Sequence, residues 1–534
     1  MTPRAAIIAP RSNRGPLDGA LGGMTIPVGA TVVLGAATVL AAIVSNGNLL
    51  AAIAPVAGAA LFAGVWMAPL RVTLGIVMFL ALAADRPGDT DGRWLSPLAP
   101  IGGLLFHNLN HIFSLDALKF SGVVALLAVL LVVRVGRCLT GRAQDTAGSL
   151  TMARPMRWAL AVALATVVAS LAFGVARGGD VEMAKIQVQA YLQLIAVAYL
   201  FGVSLRGERD YRWLGGLLVA AACVKAAMAL WVRATLPASF PDQWGVMREL
   251  EYATNHGDSL LFTAATAMLL GPLFHRPTRR QVAWFLLLMP VVIAGVVAND
   301  RRVAWVEIGA VVAAFLLMNP VSTVTRRFLR VVVLALPLLV PYAIVGWSSA
   351  SRVFGPVSFV RNIVQPERSD GSLDRSTLFR DVENYNLVDT FKGNTVLGTG
   401  FGFPFVETVA GDALPGFEEY YFLPHNSIVG LWAFTGIVGF SGLFLVIVIG
   451  MLLAARGHAR ARCPDHAIAG AAAFGCLVAY IVHLWADIGF TEAPTIFLIG
   501  LALAVAGQLA VATGEWQMPV TARPHSKQNQ WEQP

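Results

Sequence analysis

"VVANDRRVAWVEIG", residues 296–309, joins two strongly apolar segments through four polar residues, Asn299, Asp300, Arg301 and Arg302. A connection this short leaves no room for a domain. The flanks read as two helices of one bundle that reverse direction across a charged turn. Apolar runs of about 17–25 residues recur along most of the chain, the length a helix needs to cross roughly 30 Å of hydrocarbon.

Composition agrees. Of 534 residues, 57% are hydrophobic and only 13% charged, against about 25% charged in a soluble domain. The mean hydropathy is +0.67. The expected fold class is all-α, a polytopic transmembrane bundle of about fourteen spanning helices. Their expected centres lie near residues 35, 59, 78, 127, 167, 195, 222, 265, 290, 311, 338, 440, 476 and 503. A closed barrel would need short alternating strands, and that pattern is missing. The run near 24–44 reads as a retained first helix, since no small-residue cleavage site stands out.

The net charge of +8 sorts by side rather than pointing to nucleic acid. One set of connections holds Arg4/Arg11/Arg14, Arg71, Arg134/Arg137/Arg142/Arg154/Arg157, Arg206/Arg209/Arg212 and Arg276/Arg279/Arg280. It continues with Arg326/Arg327/Arg330, Arg456/Arg460/Arg462 and Arg523/Lys527. The positive-inside bias makes this set, and both termini, cytoplasmic. The expected organisation is a cytoplasmic segment 1–23, helices over 24–347, a large periplasmic loop 348–424, helices over 425–512 and a cytoplasmic tail 513–534. None of the four cysteines, Cys138, Cys223, Cys463 and Cys476, has metal-site spacing, and no metal site or cofactor is expected.

"NDRR" then falls on the outer side, against the bias. Paired cations there either snorkel to headgroups or face an aqueous site or partner. In the large loop, Leu378, Val382, Tyr385, Val388 and Phe391 recur at helical spacing. This predicts an amphipathic helix at about 375–392, capped by Asp374 and ended by Gly393. Arg375 falls in its first turn, where free N–H groups attract anions; pairing with Asp374 is the alternative. "GTGFG", 398–402, reads as a flexible turn rather than a nucleotide loop. "PHNSIVGLWAFTGIVGF", 424–440, places His425 and Asn426 at the outer end of a spanning helix, and His is the side chain suited to take a proton near neutral pH.

Three segments together, "NDRRVAW", "LDRSTLFRDVENYNLVDTFKGNTVLGTGFG" and "PHNSIVGLWAFTGIVGF", resemble the hallmark segments of the O-antigen ligase/polymerase superfamily. The resemblance covers roughly residues 240–450 and implies a GT-C-like membrane glycosyltransferase of the bacterial inner membrane. Its donor would be a polyprenyl-pyrophosphate-linked glycan and its acceptor a hydroxyl of a glycan or lipid. It would act in lipopolysaccharide or exopolysaccharide assembly, alongside other polysaccharide-assembly proteins. By motif, Arg302 and Arg375 hold the pyrophosphate and His425 activates the acceptor. The family pattern has a Ser before a single Arg, whereas this chain has Asp300 and a doubled Arg, so Arg301 is a register alternative to Arg302. Asn426, Arg380 and the polar turn with Arg248, His256 and Asp258 are further substrate-binding candidates. For the last, a solvated helix entry capped by Asp258 or Ser259 is the competing reading. Lys225 and Glu307, charged residues within spanning helices, either mark a pathway or form structural pairs. The rival functions are a secondary transporter and a non-catalytic component of polysaccharide assembly.

Overall fold

The computed structural model describes residues 31–85, 96–115, 118–141, 151–236, 239–241, 247–249, 253–275, 277–319, 323–349, 351–364, 371–411, 418–487, 489–490 and 492–516. The expected segment 1–23, and the tail beyond residue 516, lie outside these.

Two units emerge from the contact pattern. The smaller comprises the described parts of residues 1–67 and 107–122. It contains α1 (Thr31–Val44), α2 (Leu49–Met67) and the short α5 (Leu109–Phe113). Asn48 organises it. Its Oδ1 accepts from the Leu50 and Ala51 amides at the start of α2, while its Nδ2 donates to the Ile112 carbonyl and Ser114 Oγ. One side chain thus satisfies orphan donors at a helix start and ties α2 to α5.

The larger unit carries the remaining helices. These are α3 (Leu70–Ala83), α4 (Ala99–Phe106), α6 (Gly122–Leu139), α7 (Arg154–Ala176), α8 (Val181–Ser204) and α9 (Glu208–Thr235). Then follow α10 (Asp258–Leu270), α11 (Arg279–Asn299), α12 (Arg302–Met318) and α13 (Thr323–Trp347). The last are α14 (Gly355–Val364), α15 (Gly371–Gly393), α16 (Ser427–Ala459), α17 (Pro464–Ala486) and α18 (Ala493–Ala512). A hairpin of two three-residue strands, Ser239–Pro241 and Met247–Glu249, precedes α10.

Every expected centre falls inside one of these helices. Among the described residues, nine helices (α2, α6, α7, α8, α9, α11, α16, α17 and α18) are long and apolar enough to cross a membrane. The architecture is that of a helical membrane protein. α18 is its axis: residues 494–510 are buried on every side, packed on α8, α16 and α17. A helix apolar all round belongs in such an interior. Besides Thr495 near its start, it buries one polar side chain, Gln508, and that one is matched. Gln508 donates to the Gly202 and Leu205 carbonyls at the end of α8 and accepts from the Tyr211 hydroxyl.

The helices alternate, so the starts of α10, α12, α16 and α18 share one end with the ends of α3, α9, α11 and α17. Contacts among His256, Arg301, Ser427 and Asp487 establish this end. The starts of α3, α9 and α17 meet at the other, where Arg71 pairs with Asp210 at 3.0 Å and Arg212 lies 3.8 Å from Asp465.

Candidate functional site

The site begins with a break in α16. Gly436 has φ 62°, ψ −172°, a conformation confined essentially to glycine. The break frees main-chain groups on both sides, and these would be costly to bury unpaired. The segment after α15 fills the gap. The Thr399 and Gly400 amides donate to the Ala433 and Phe434 carbonyls, and the Ile437 and Val438 amides donate to the Thr395 and Val396 carbonyls. Approach is backbone to backbone: a Cβ on Gly436 would lie 2.3 Å from the Val396 carbonyl oxygen, and one on Gly398 2.4 Å from Phe434. "GTGFG" is therefore a packed plug in a broken helix, and the expectation of a flexible turn is corrected.

That plug fixes α15 against α16. The expected helix at 375–392, read as docked on the outer membrane face or on the other helices, is present as Gly371–Gly393, and its buried face is largely polar. Glu383, Asn386, Leu387 and Thr390 are buried, while Leu378, Tyr385 and Val388 are exposed. The inward face is polar because it binds main chain. Asn386 Oδ1 accepts from the Thr408 and Val409 amides, its Nδ2 donates to the Val409 carbonyl, and Thr390 Oγ1 accepts from the Val406 amide. Of the apolar stripe read from the sequence, Leu378, Tyr385 and Val388 face away, as suits a helix lying against lipid, while Phe391 packs on Trp432 of α16 at 4.3 Å between ring centres.

Glu383, only 1% exposed, reaches the start of α16. Its Oε1 accepts the His425 main-chain N–H at 2.9 Å and lies 3.3 Å from His425 Nδ1. Phe379 meets the imidazole edge-on at 5.7 Å between ring centres, and Tyr420 flanks it at 6.3 Å. Burial, then the Glu383 charge, pushes the Tyr420 phenol well up, so it stays protonated. Asn426 caps α16 by accepting from the Val429 amide and donates to Asn384 Oδ1 at 2.9 Å. With Nδ1 turned to a carboxylate, Nε2 is the nitrogen left to act on another molecule.

Two residues on, Ser427 Oγ donates to the main-chain carbonyl of Asp487 at 3.0 Å. The Asp487 carboxylate contacts His256 Nδ1 and lies 3.6 Å from Arg301 Nη1, which in turn is 2.6 Å from the same His256 nitrogen. One ring nitrogen cannot serve both partners. Protonated, it donates to Asp487; deprotonated, it accepts from Arg301. Burial opposes ionisation of Asp487, but the hydrogen bond and charge of His256, then Arg301 and His483, outweigh it and hold the carboxyl well below the usual range.

The doubled arginine is resolved by its backbone. Asp300 ends α11 in the left-handed region, φ 61°, where Asp is among the few tolerated non-glycine residues. This turns Arg301 inward, 7% exposed, and leaves Arg302 exposed as the first residue of α12. Arg301, the register alternative, joins the cluster, and Arg302 does not. Arg380 is exposed on α15, a turn before Glu383. Arg375 falls near the start of α15 and Arg248 in a strand, and both side chains lie outside the described residues.

Asp258 is not at the surface either. It is buried at the start of α10 with its Oδ2 3.2 Å from Lys225 Nζ, and Lys225 also bonds Asp85 Oδ1. The residue before α10 is Gly257, which has no capping side chain, and Asp258 Oδ2 accepts from the Asn255 amide at 3.1 Å. Glu307 makes a separate buried pair with His483 Nδ1 at 2.8 Å and accepts from Thr263 at 3.2 Å. Lys225 and Glu307 thus pair with other groups, not with each other. Sequence reasoning missed Glu383 and Asp487. Glu383 was hidden on the polar side of a helix read by its apolar stripe, and Asp487 is a single carboxylate at a helix end. No known family model and no curated protein matches the chain.

Proposed function

We propose that this chain is a membrane glycosyltransferase of the O-antigen ligase or polysaccharide polymerase type. It transfers a glycan from polyprenyl pyrophosphate to an acceptor hydroxyl on the periplasmic face of the bacterial inner membrane, with both termini cytoplasmic. The observation that carries the reading is His425. It is oriented by a buried carboxylate at a helix start and connected through Ser427 and Asp487 to the buried Arg301 and to His256.

His425 Nε2 takes the proton of the acceptor hydroxyl. The acceptor oxygen bonds to the anomeric carbon as the bond from that carbon to the pyrophosphate oxygen breaks. The electron pair leaves with polyprenyl pyrophosphate, and the anomeric centre inverts. Preorganised cations at that developing charge are the largest expected term, by analogy with an oxyanion donor worth about 2.7–4 kcal/mol. Arg301 is the described cation best placed at this end. Arg375, Arg380 and the exposed Arg302 are assigned to the donor's more distal charge.

His425→Ala tests the assignment. The variant is expected to accumulate to normal levels, lose transfer, and let lipid-linked glycan build up in the membrane. Undiminished product would reject it. A second reading, a secondary transporter, draws on the buried Lys225–Asp85–Asp258 and Glu307–His483 groups, since intramembrane charges often line ion pathways. It predicts that Lys225→Met abolishes solute uptake while glycan products stay normal.

A further inference from the structure

At the end of the bundle opposite His425, three side chains converge that the proposed transfer does not use. Glu208 lies in the first turn of α9, Cys463 is the residue that precedes α17, and His466 is in the first turn of α17. Cys463 Sγ is 3.1 Å from Glu208 Oε1, His466 Nε2 is 3.5 Å from the same oxygen, and all three ligand atoms lie within 4.8 Å of one another. All three side chains are partly buried.

Zinc bonds of about 2.3 Å to sulfur and 2.0–2.1 Å to nitrogen and oxygen, at tetrahedral angles, imply ligand–ligand edges of roughly 3.3–3.5 Å. The 3.1 Å and 3.5 Å edges lie close to that length, and the Cys463–His466 edge is below 4.8 Å. The donor set, one thiol, one imidazole and one carboxylate, suits zinc rather than the all-oxygen preference of magnesium or calcium.

We propose that Glu208, Cys463 and His466 bind a divalent transition-metal ion of the zinc class, with a fourth position open to solvent. Glu208 and His466 are separated by nearly half the chain, so the ion staples the α8–α9 turn to the α16–α17 turn. The two ends of α16 place this site and His425 apart by roughly 50 Å of helix, at 1.5 Å per residue. Glu208 and His466 also line a cavity of about 890 Å³ whose rim includes Arg71, Arg206 and Arg209. Asp210, paired with Arg71, shares that lining, and the cavity gives water or a small anion room to complete the tetrahedron. Binding displaces the thiol proton, so affinity rises with pH. The site was invisible in sequence spacing, since only Cys463 and His466 are near neighbours. It is independent of the proposed transfer.

The test uses full-length protein in detergent, carrying an affinity tag without histidines, stripped with chelator and reloaded with Zn²⁺ or Co²⁺ alone. One metal per chain is expected. Co²⁺ should give the intense visible bands of a tetrahedral site and a thiolate charge-transfer band. Cys463→Ser should remove the charge-transfer band, His466→Ala should weaken binding at least tenfold, and Cys138→Ser should change neither. Zn²⁺ should raise the melting temperature of the unsubstituted chain and not of Cys463→Ser. Absence of stoichiometric metal in the unsubstituted protein would overturn the proposal, as would full loading of a monodisperse Cys463→Ser/His466→Ala double variant.

Discussion

Replacing Glu383 by Gln separates chemistry from architecture at the candidate site. Gln keeps the shape and an oxygen that can accept the His425 amide, the 2.9 Å bond that holds the start of α16. What it removes is a buried negative charge beside Nδ1. In the proposed transfer His425 takes the acceptor proton, and the imidazolium forms against that carboxylate. A hydrogen bond to a charged partner is worth about 1.5–3 kcal/mol. The 3.3 Å separation is longer than the roughly 2.7–2.9 Å of a tight charge-assisted bond, which argues for the lower half of that range. At about 1.4 kcal/mol per tenfold, Glu383→Gln should lower kcat roughly tenfold to fortyfold. KM for the donor should stay near that of the unsubstituted chain, because Glu383 holds His425 and not the pyrophosphate. Glu383→Ala should do this and also cost about 1–3 kcal/mol of stability by stranding the amide. The assay is transfer from lipid-linked glycan extracted from cells lacking the protein, with products followed by mass spectrometry. An unchanged kcat for Glu383→Gln in a well-folded sample would refute the positioning role. A loss confined to KM would refute it too.

Three further outcomes follow from the geometry. Arg301→Ala removes one partner of a buried ion pair and should cost on the order of 3–5 kcal/mol, together with activity. Arg302→Ala should leave the melting temperature nearly unchanged, as exposed substitutions do, and thermal unfolding of the two purified variants distinguishes the registers. Gly436→Ala should reduce folded protein in fluorescence-detected size exclusion, since the backbone alone costs about 1–3 kcal/mol and the added Cβ meets a carbonyl oxygen at 2.3 Å. Asp487, whose carboxyl is held low in the fold, contributes stability that is complete above its ordinary value near 3.9 and is lost as pH falls toward the folded value. The melting-temperature gap between the unsubstituted chain and Asp487→Asn should thus be constant from pH 5 to 7 and narrow below about pH 4.

The helices were legible because run length and apolarity are local properties, and lipid imposes them directly. His425, Asn426, Arg301 and His256 were legible as polar residues at helix ends on one face. Their partners were not, because partner choice depends on how helices rotate about their own axes. α15 shows the limit. Its apolar residues recur at helical spacing, and in a soluble protein that stripe would face the core. In a membrane protein the apolar stripe has a second place to go, and the buried side can be the polar one. Glu383 and Asn386 were therefore on the side that the reading set aside. The register of Arg301 and Arg302 stayed open for a smaller reason: a single left-handed residue, Asp300, decides which arginine turns inward.

The break in α16 explains why a catalytic histidine would sit on this scaffold. Side-chain contacts alone would let α15 slide along α16, and a shift of an ångström would uncouple Glu383 from His425. Four main-chain hydrogen bonds across the Gly436 break set the register of residues 395–400 instead, and α15 ends directly before them. Main-chain bonds carry no dependence on side-chain identity. The exposed Val396 and Leu397 should therefore tolerate polar substitution, while glycine at 398 and 436 should not tolerate even a methyl group. A sequence tuned for flexibility would show the reverse sensitivity. The rigid plug behind α16 and the carboxylate in front of it hold one imidazole in place from two directions.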